Sequence, residues 1–584
     1  MSISSDLNKS LYMSQLLEFE VVFPDEQPLR PEEYLEGGSK SIILNVAAFF
    51  LGFDPINSRY KDNKMFIETV FCQENNAFAN KVYDTINKLQ SKNIHVTIVN
   101  TYASLMLFER FFKMNQISET QTQAEFERNL FKAYLVINSE ITKKQTIAFL
   151  SSNNLNADLR IPMLLFSSQY PISDKESYNI YQVFRTQVIK SVYLFQYLES
   201  HSVTLPLLQA YLDYFNCPDW RYYLRNILPL SLSVLKSKKE GHLDIEIKEG
   251  DKFEEGCSFL EKLMVKDDDS LADDDFISLR SKPFYKVGNG KYRVIFNLFL
   301  IEKIFKGMYF LLKEINETLP DGVKVKELRS RYGYEFSEKW LSYKILEIIY
   351  PNKSIRFSGQ ELYNIGIDSA PDYYIRKGKD VLLFESKDFL IRADKKGSFD
   401  YSVYEEEFER VLYYEVNNKG KEKYKAVMQL INSVRRMLKN EFEADKDYYY
   451  REINIYPILL THDHQYDTPG FNELINSWFQ DELKCLEEEG LYIKRVAQLT
   501  IVNIDSLIEY QVGLSTDISL HELVKLYEKF KLEKPKNKFR TDDEAMSYSL
   551  SKLIPFSMFI DKHFKQHRLF KPPPVLDVLG ENLS

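Results

Sequence analysis

PDYYIRKGKDVLLFESK, residues 371–387, places two extended runs on either side of a basic glycine turn, KGK, and reads as a β-hairpin. Residues two apart on a strand face the same side, so Glu385 and Lys387 point together while Ser386 points away. Asp372, on the first arm, can reach the same point from the neighbouring strand. Glu385 follows the apolar run VLLF, where a carboxylate must reach solvent or find a partner. Plainer readings stand beside this one: Asp372 as a turn residue after Pro371, and Lys387 as a surface ion pair of Glu385.

The flanks extend the pattern. EFSEKWLSYKILEIIY, residues 335–350, is an amphipathic helix with Phe336, Trp340, Ile345, Ile348 and Ile349 on one broad face and Glu338 near its edge. Residues 354–357 read as a further strand. Residues 424–436 return to helical period and INIYPILL, 453–460, is an apolar strand. Helix, three short strands, helix, strand is the order of a small mixed α/β sheet, which a helix at 471–487 and a strand-like run at 496–504 would complete or flank.

Two carboxylates at one sheet edge suit a hard divalent cation that holds a phosphate oxygen and a water. Lys387 would orient or help deprotonate that water, or stabilise charge on the phosphate. Here the chain resembles the PD-(D/E)XK nuclease superfamily, through Pro371-Asp372 and then Glu385-Ser386-Lys387 after a short hairpin. The resemblance implies a restriction-endonuclease-like core and Mg²⁺-dependent cleavage of DNA, less often RNA, with Mn²⁺ able to substitute. It implies that Asp372 and Glu385 bind metal, that the main chain of Leu383, Phe384 and Ser386 frames the site, and that Lys387 is the catalytic lysine. Members often add a Glu from the first core helix, for which Glu338 is the choice and Glu335 the runner-up. Many also carry a Gln or Lys on the following helix; Gln429 looks like that residue, with Lys425 one turn earlier on the same face.

Outside this core, residues 1–60 mix Pro, Gly and short apolar runs and read as irregular structure with short strands. Residues 61–264 read as a mostly helical sensing or regulatory domain, with helices at 77–89, 102–115, 123–135, 177–200 and 205–215 and strands at 94–99 and 159–165. VKDDDSLADDD, residues 265–275, breaks the composition as an acidic solvated linker; its spacing, with no central Gly, is not that of an EF-hand. Residues 276–330 read as a hairpin turning at Gly288-Asn289-Gly290 and a helix flanking the core, 331–520 as the nuclease-like domain, and 521–584 as a helical, Pro-rich tail. The fold class expected is therefore multidomain α/β, a mostly helical amino-terminal region followed by a restriction-endonuclease-like mixed-sheet core.

The 584 residues exceed what one core usually supports, and 44% hydrophobic residues with 41 Phe and 39 Tyr argue against long disordered stretches. Cys72, Cys217, Cys257 and Cys485 lie far apart with no CxxC, which argues against a zinc site or disulfide scaffold and fits a reducing cytosol. The amino-terminal residues lack a basic region followed by an apolar core, and IILNVAAFFL, 42–51, is too short to span a bilayer; no membrane partner and a cytoplasmic location are expected. The net charge of −9 does not mark a nucleic-acid coating protein. Lys421, Lys423, Lys425, Arg435, Arg436 and Lys439, with Arg376, Lys377, Lys379, Arg392, Lys395 and Lys396, nevertheless suggest a local basic surface for phosphates, or else a solvated helix face. His462, Asp463, His464 and Asp467 are a weaker second metal candidate, an incomplete tetrahedral set. No Walker loop or GxGxxG fingerprint supports nucleotide use.

The expected function is a Mg²⁺-dependent DNA endonuclease, suited by family analogy to defence against foreign DNA, whose amino-terminal half senses or restrains a nucleic acid, a protein partner or an activator. Since two strands are cut most simply by a dimer, a homodimer is expected. The alternatives are an inactive nuclease-fold protein that binds nucleic acid, and a helical protein-interaction scaffold with an incidental ExK strand.

Overall fold

Ile355–Ser358 (β1), Tyr373–Lys377 (β2), Asp380–Lys387 (β3), Asn454–Thr461 (β4) and Thr500–Asn503 (β5) form one mixed sheet in the order β5-β4-β3-β2-β1. The structure is a computed structural model that describes residues 15–52, 63–92, 94–114, 119–237, 241–266, 275–351, 354–367, 370–416, 422–535 and 539–576. β1, β2 and β3 run antiparallel, β3, β4 and β5 parallel. The β2–β3 turn closes tightly because Gly378 takes φ +64°, a conformation that costs a residue without Cβ nothing.

Val381–Phe384 of β3 are 0–1% exposed, since the strand is central and covered on both faces. This accounts for its unbroken apolar run, which alternation would have interrupted on a half-solvated strand. One face, with Tyr373, Ile375, Leu382, Phe384 and Ile458, packs on the helical stretch Tyr332–Ser342 (α1), its continuation Tyr343–Ile349 (α2) and helix Ile504–Thr516. The other, with Tyr374, Val381, Leu383, Ile455 and Leu459, packs on Ala426–Leu438 and Phe471–Glu488. The expected helix, three strands, helix and strand are all present, but helix Gly359–Asn364 intervenes between β1 and β2, and short helices and the hairpin Tyr414–Val416/Glu422–Tyr424 intervene between β3 and Ala426–Leu438, inside a mixed α/β chain that is about 60% helical. Among the described residues no helix is long and apolar enough to cross a membrane.

The amino-terminal region departs from its reading in places. Residues 15–52 are mainly helical, not irregular: Ile43, Leu44, Ala47, Ala48 and Leu51 of helix Lys40–Leu51 are buried at helical spacing, against helix Thr101–Phe112. The run read as a strand at 159–165 lies in helix Ala157–Gln169. Asn156 accepts the Asp158 and Leu159 N–H groups there, a cap that decides an apolar run too short for periodicity to settle. Residues 267–274 of the acidic run lie outside the described residues, but its ends are not solvated. Val265 is buried, its N–H donating to Phe284 O, and Asp275 enters a charge cluster. Strand Asp244–Glu246, from before the run, pairs with Lys291–Val294 of the hairpin after it.

That cluster joins the two halves of the chain. Lys175 Nζ lies 3.0 Å from Asp174 and 2.9 Å from Asp275; Lys396 Nζ lies 3.1 Å from Asp174 and 2.8 Å from Asp275. Arg280 reaches Asp174 at 2.6 Å and Glu302 at 2.7 Å, and Lys306 reaches Asp463 at 3.0 Å. Burial pushes the Asp174 carboxyl up, but Lys175, Lys396 and Arg280 outweigh it and hold it well below its ordinary value. Removing one partner leaves an uncompensated buried charge. Arg280→Met is expected to cost about 3–5 kcal/mol in chemical denaturation. Lys379→Met, which breaks an exposed pair with Glu452, is expected to cost under about 1 kcal/mol.

Candidate functional site

β2 and β3 pair Tyr373 with Phe384, so the next step of the register sets Asp372 beside Glu385. Lys387 Nζ lies 3.0 Å from Glu385 Oε2 and 3.5 Å from Asp372 Oδ2. The Ser386 N–H donates to Asp372 Oδ2 at 2.8 Å, so main chain at the end of β3 holds this carboxylate in place. Gly359, which opens helix Gly359–Asn364 (α3), donates its N–H to Asp372 O at 2.8 Å. A Cβ there would sit 3.2 Å from the Asp372 main chain, so the close approach favours glycine.

Glu338 comes within electrostatic reach of Asp372 and Lys387 from α1, which winds with the wider i→i+5 spacing of a π-helix, a winding that is rare and often found at functional sites. Residues five apart line up along it: Tyr332, Ser337 and Ser342 are buried, and the Ser342 hydroxyl donates to Ser337 O at 2.8 Å. Glu338 therefore aligns with Tyr343, whose hydroxyl oxygen is buried with no hydrogen-bond partner among the described residues. Asp388 pins α1 to the end of β3, accepting from Arg329 at 2.7 Å and from the Ser337 hydroxyl at 2.5 Å. Burial first, and then the charge of Asp372, push the Glu338 carboxyl up to about 8 against the pull of Lys387. The same two causes, in the same order, raise Glu385 well above its ordinary value. Burial would lower Lys387, but Asp372, Glu385 and Glu338 outweigh it and raise its pKa.

Glu385 is 0% exposed, and while Oε2 takes the lysine, Oε1 is buried without a hydrogen-bond partner among the described residues. An orphaned carboxylate oxygen beside Asp372 has the chemistry that a hard cation would take. Among the described residues no three His, Cys, Asp or Glu side chains form a ready-made metal cage. Two carboxylates completed by water are enough for Mg²⁺.

Most of the other residues read from the sequence take partners of their own. Glu335 turns away, taking Arg331 at 2.7 Å and the Tyr197 hydroxyl at 2.8 Å. Gln429 stands near the start of helix Ala426–Leu438 (α4) on the sheet face of Leu383, and its side chain makes no hydrogen bond among the described residues. Lys425 does not approach the site but pairs with Glu415 at 2.8 Å. The expected basic surface is largely paired: Arg376 with Asp445, Lys379 with Glu452, Arg392 with Asp394, Arg435 and Lys439 with Glu489, and Lys396 is buried in the charge cluster, while Lys377, Lys423 and Arg436 form no ion pair among the described residues. Lys421 lies outside the described residues. Nor do the residues of 462–467 converge. His462 Nε2 meets the Ser386 hydroxyl at 2.8 Å, Asp463 meets Lys306, His464 meets Asp174 O at 3.2 Å, and Asp467 meets Asn503 at 3.0 Å. Burial lowers His462 to about 4, so at neutral pH it is an uncharged partner of Ser386.

No family model, curated protein or solved structure matches this chain. The geometry of the site stands on its own.

Glu338 keeps its proton in the fold up to about pH 8, whereas the unfolded chain loses it near its ordinary value of 4.5. Between these values the unfolded state binds fewer protons, so stability falls as pH rises. Lys387, raised above its ordinary 10.5, loses its contribution only above this window. Thermal melts from pH 5 to 8.5 without divalent cations should show a falling midpoint, and Glu338→Gln should flatten the fall.

Proposed function

We propose that this chain is a Mg²⁺-dependent nuclease of the PD-(D/E)XK type that cuts DNA. The observation that carries the reading is the meeting of Asp372 and Glu385 at Lys387, with Glu385 Oε1 left unpartnered and Glu338 within electrostatic reach. A helix, three strands, a helix and a strand in that sequence, with insertions between them and with Asp372 just before β2 and Glu385 on β3, support the restriction-endonuclease-like core that the sequence resemblance implies.

Asp372 and Glu385 would hold the cation, with Glu338 beside them. When bound, the cation would polarise the phosphate and lower the pKa of a water. Lys387 is protonated while the three carboxylates support it, and in that form it stabilises negative charge on a phosphate oxygen. Neutralising those carboxylates removes that support and brings its proton within reach of exchange with the attacking water. Ser386 and Gly359 keep Asp372 fixed throughout, so little reorganisation is needed. A role in defence against foreign DNA remains part of this proposal by family analogy alone.

The full-length chain, incubated with circular DNA, single-stranded DNA and RNA in Mg²⁺ or Mn²⁺, should cut DNA. Lys387→Ala should lower the rate at least about a hundredfold, the scale of a lost acid–base group. Equal cutting by both proteins would place the activity elsewhere, and no cutting by either would favour the inactive, nucleic-acid-binding alternative.

A further inference from the structure

The rim of the site carries exposed aromatic rings on two elements. Tyr334, on α1 one turn before Glu338, is 51% exposed, and Tyr363 on α3 is 66% exposed. Lys339 joins the two elements: its Nζ stands 4.0 Å from the Tyr334 ring centroid and donates to Gln360 Oε1 at 2.9 Å. Gln360 and Tyr363 are three residues apart on α3 and share its face. Tyr334 also lies near enough to Tyr343 for their phenols to influence each other, and Tyr343 in turn feels Glu338 and Asp372. The two rings thus stand on the elements that hold the acids, Tyr334 on the helix that supplies Glu338 and Tyr363 on the one whose Gly359 holds Asp372.

Single exposed rings are common on a protein surface, but flat rings on the two elements that hold the acids, with a cation between them, suit bases. Paired bases inside a duplex have both faces covered by neighbours, so rings of this kind serve an unpaired strand. The charge distribution points the same way. Duplex binding depends on many phosphate contacts, yet most cations expected to supply them are already held by carboxylates. Lys339 has no carboxylate partner among the described residues.

We infer that the substrate is an unpaired DNA strand, whose bases stack on Tyr334 and Tyr363 with Lys339 at a phosphate between them while the scissile bond lies at Asp372, Glu385 and Lys387. This inference rests on the nuclease reading for the place of the cut, and on the aromatic rim and the paired cations for the kind of strand.

The test uses full-length chain carrying Lys387→Ala, with Mg²⁺, and a fluorescent 20-nucleotide oligodeoxythymidylate or a duplex of the same length. The single strand should bind at least about tenfold more tightly than the duplex. Binding should fall with salt at a slope no steeper than about −1.5 in log–log form, as for roughly two phosphate contacts on a single strand. Tyr334→Ala with Tyr363→Ala should weaken single-strand binding at least about tenfold, while the pair of Tyr→Phe changes, which keeps both rings, should stay within about twofold. Duplex preference, a steep salt slope, or equal loss in the Phe and Ala pairs would each overturn the inference. Strand preference and salt slope need no tyrosine variant, so a misfolded double mutant does not rescue it. Hydrolysis of bis(4-nitrophenyl) phosphate by the unmodified chain reports on the nuclease reading separately. Hydrolysis without ring-dependent binding sinks the inference alone, ring-dependent binding without hydrolysis sinks only the nuclease reading, and neither signal sinks both.

Discussion

A carboxylate with no exposure, at the end of a strand covered on both faces, is the constraint around which the carboxy-terminal half is arranged. Burying an ionised Glu385 unpaired would cost several kcal/mol, so the fold must either keep it protonated or bring a cation to it. Lys387, two residues on and on the same face, is the cation the strand itself provides. That arrangement leaves no freedom in the register of β2 and β3. A slip of one residue would turn Glu385 into the opposite core and remove Asp372 from its side. The glycine turn at Gly378 and the close approach of Gly359 to Asp372 are the local devices that hold the register.

The amino-terminal helices take part in the same arrangement. The ends of β3 and β4 meet through Ser386 and His462, and Lys190, from helix Ile180–Ser200, donates to His462 O at 3.0 Å and to Asp505 at 2.8 Å. Asp463, just after β4, and Lys396, after β3, both enter the buried cluster with Asp174, Lys175 and Arg280. Groups from both halves thus fix the loops that leave the site end of the sheet. Hydrogen-bonded charges at such depth tolerate little displacement, so motion of the amino-terminal helices would be felt at Glu385 and Lys387. A regulatory role for the amino-terminal half would have this physical route.

The sheet was legible because its signals are local. The glycine turn, the apolar runs of β3 and β4 and the amphipathic helix before them each carry their own period, and the structure places these elements within a few residues of their expected bounds. Asp372, Glu385 and Lys387 followed from strand parity and one hairpin. What escaped depends on other kinds of information. Tyr343 aligns with Glu338 only under π-type winding; at the α-helical angle the two would stand roughly 140° apart, and sequence periodicity assumes that angle. The partners that neutralise Arg376, Lys396 and Arg435 lie 69, 222 and 54 residues away, so counting cations along the chain mistook paired charges for free ones. In the amino-terminal region the helix Lys40–Leu51 was hidden by its Pro- and Gly-rich neighbours, although its own apolar spacing is helical.

Charge at the site sets a further condition. Asp372, Glu385 and Glu338 face one lysine, so full ionisation would leave two uncompensated negative charges in a partly desolvated place. The fold avoids this state by protonation, which is why Glu338 and Glu385 are raised rather than lowered. A phosphate approaching the ionised cluster would be repelled, and most of the cations expected around it are paired with carboxylates, Lys339 excepted. On the proposed reading, cation and nucleic acid therefore bind in a coupled manner. A divalent ion would displace the protons and cancel the two remaining negative charges, so that the site would no longer repel a phosphodiester. Stacking on the rim does not depend on those charges, so a strand can be held beside the acids before the phosphate is drawn in.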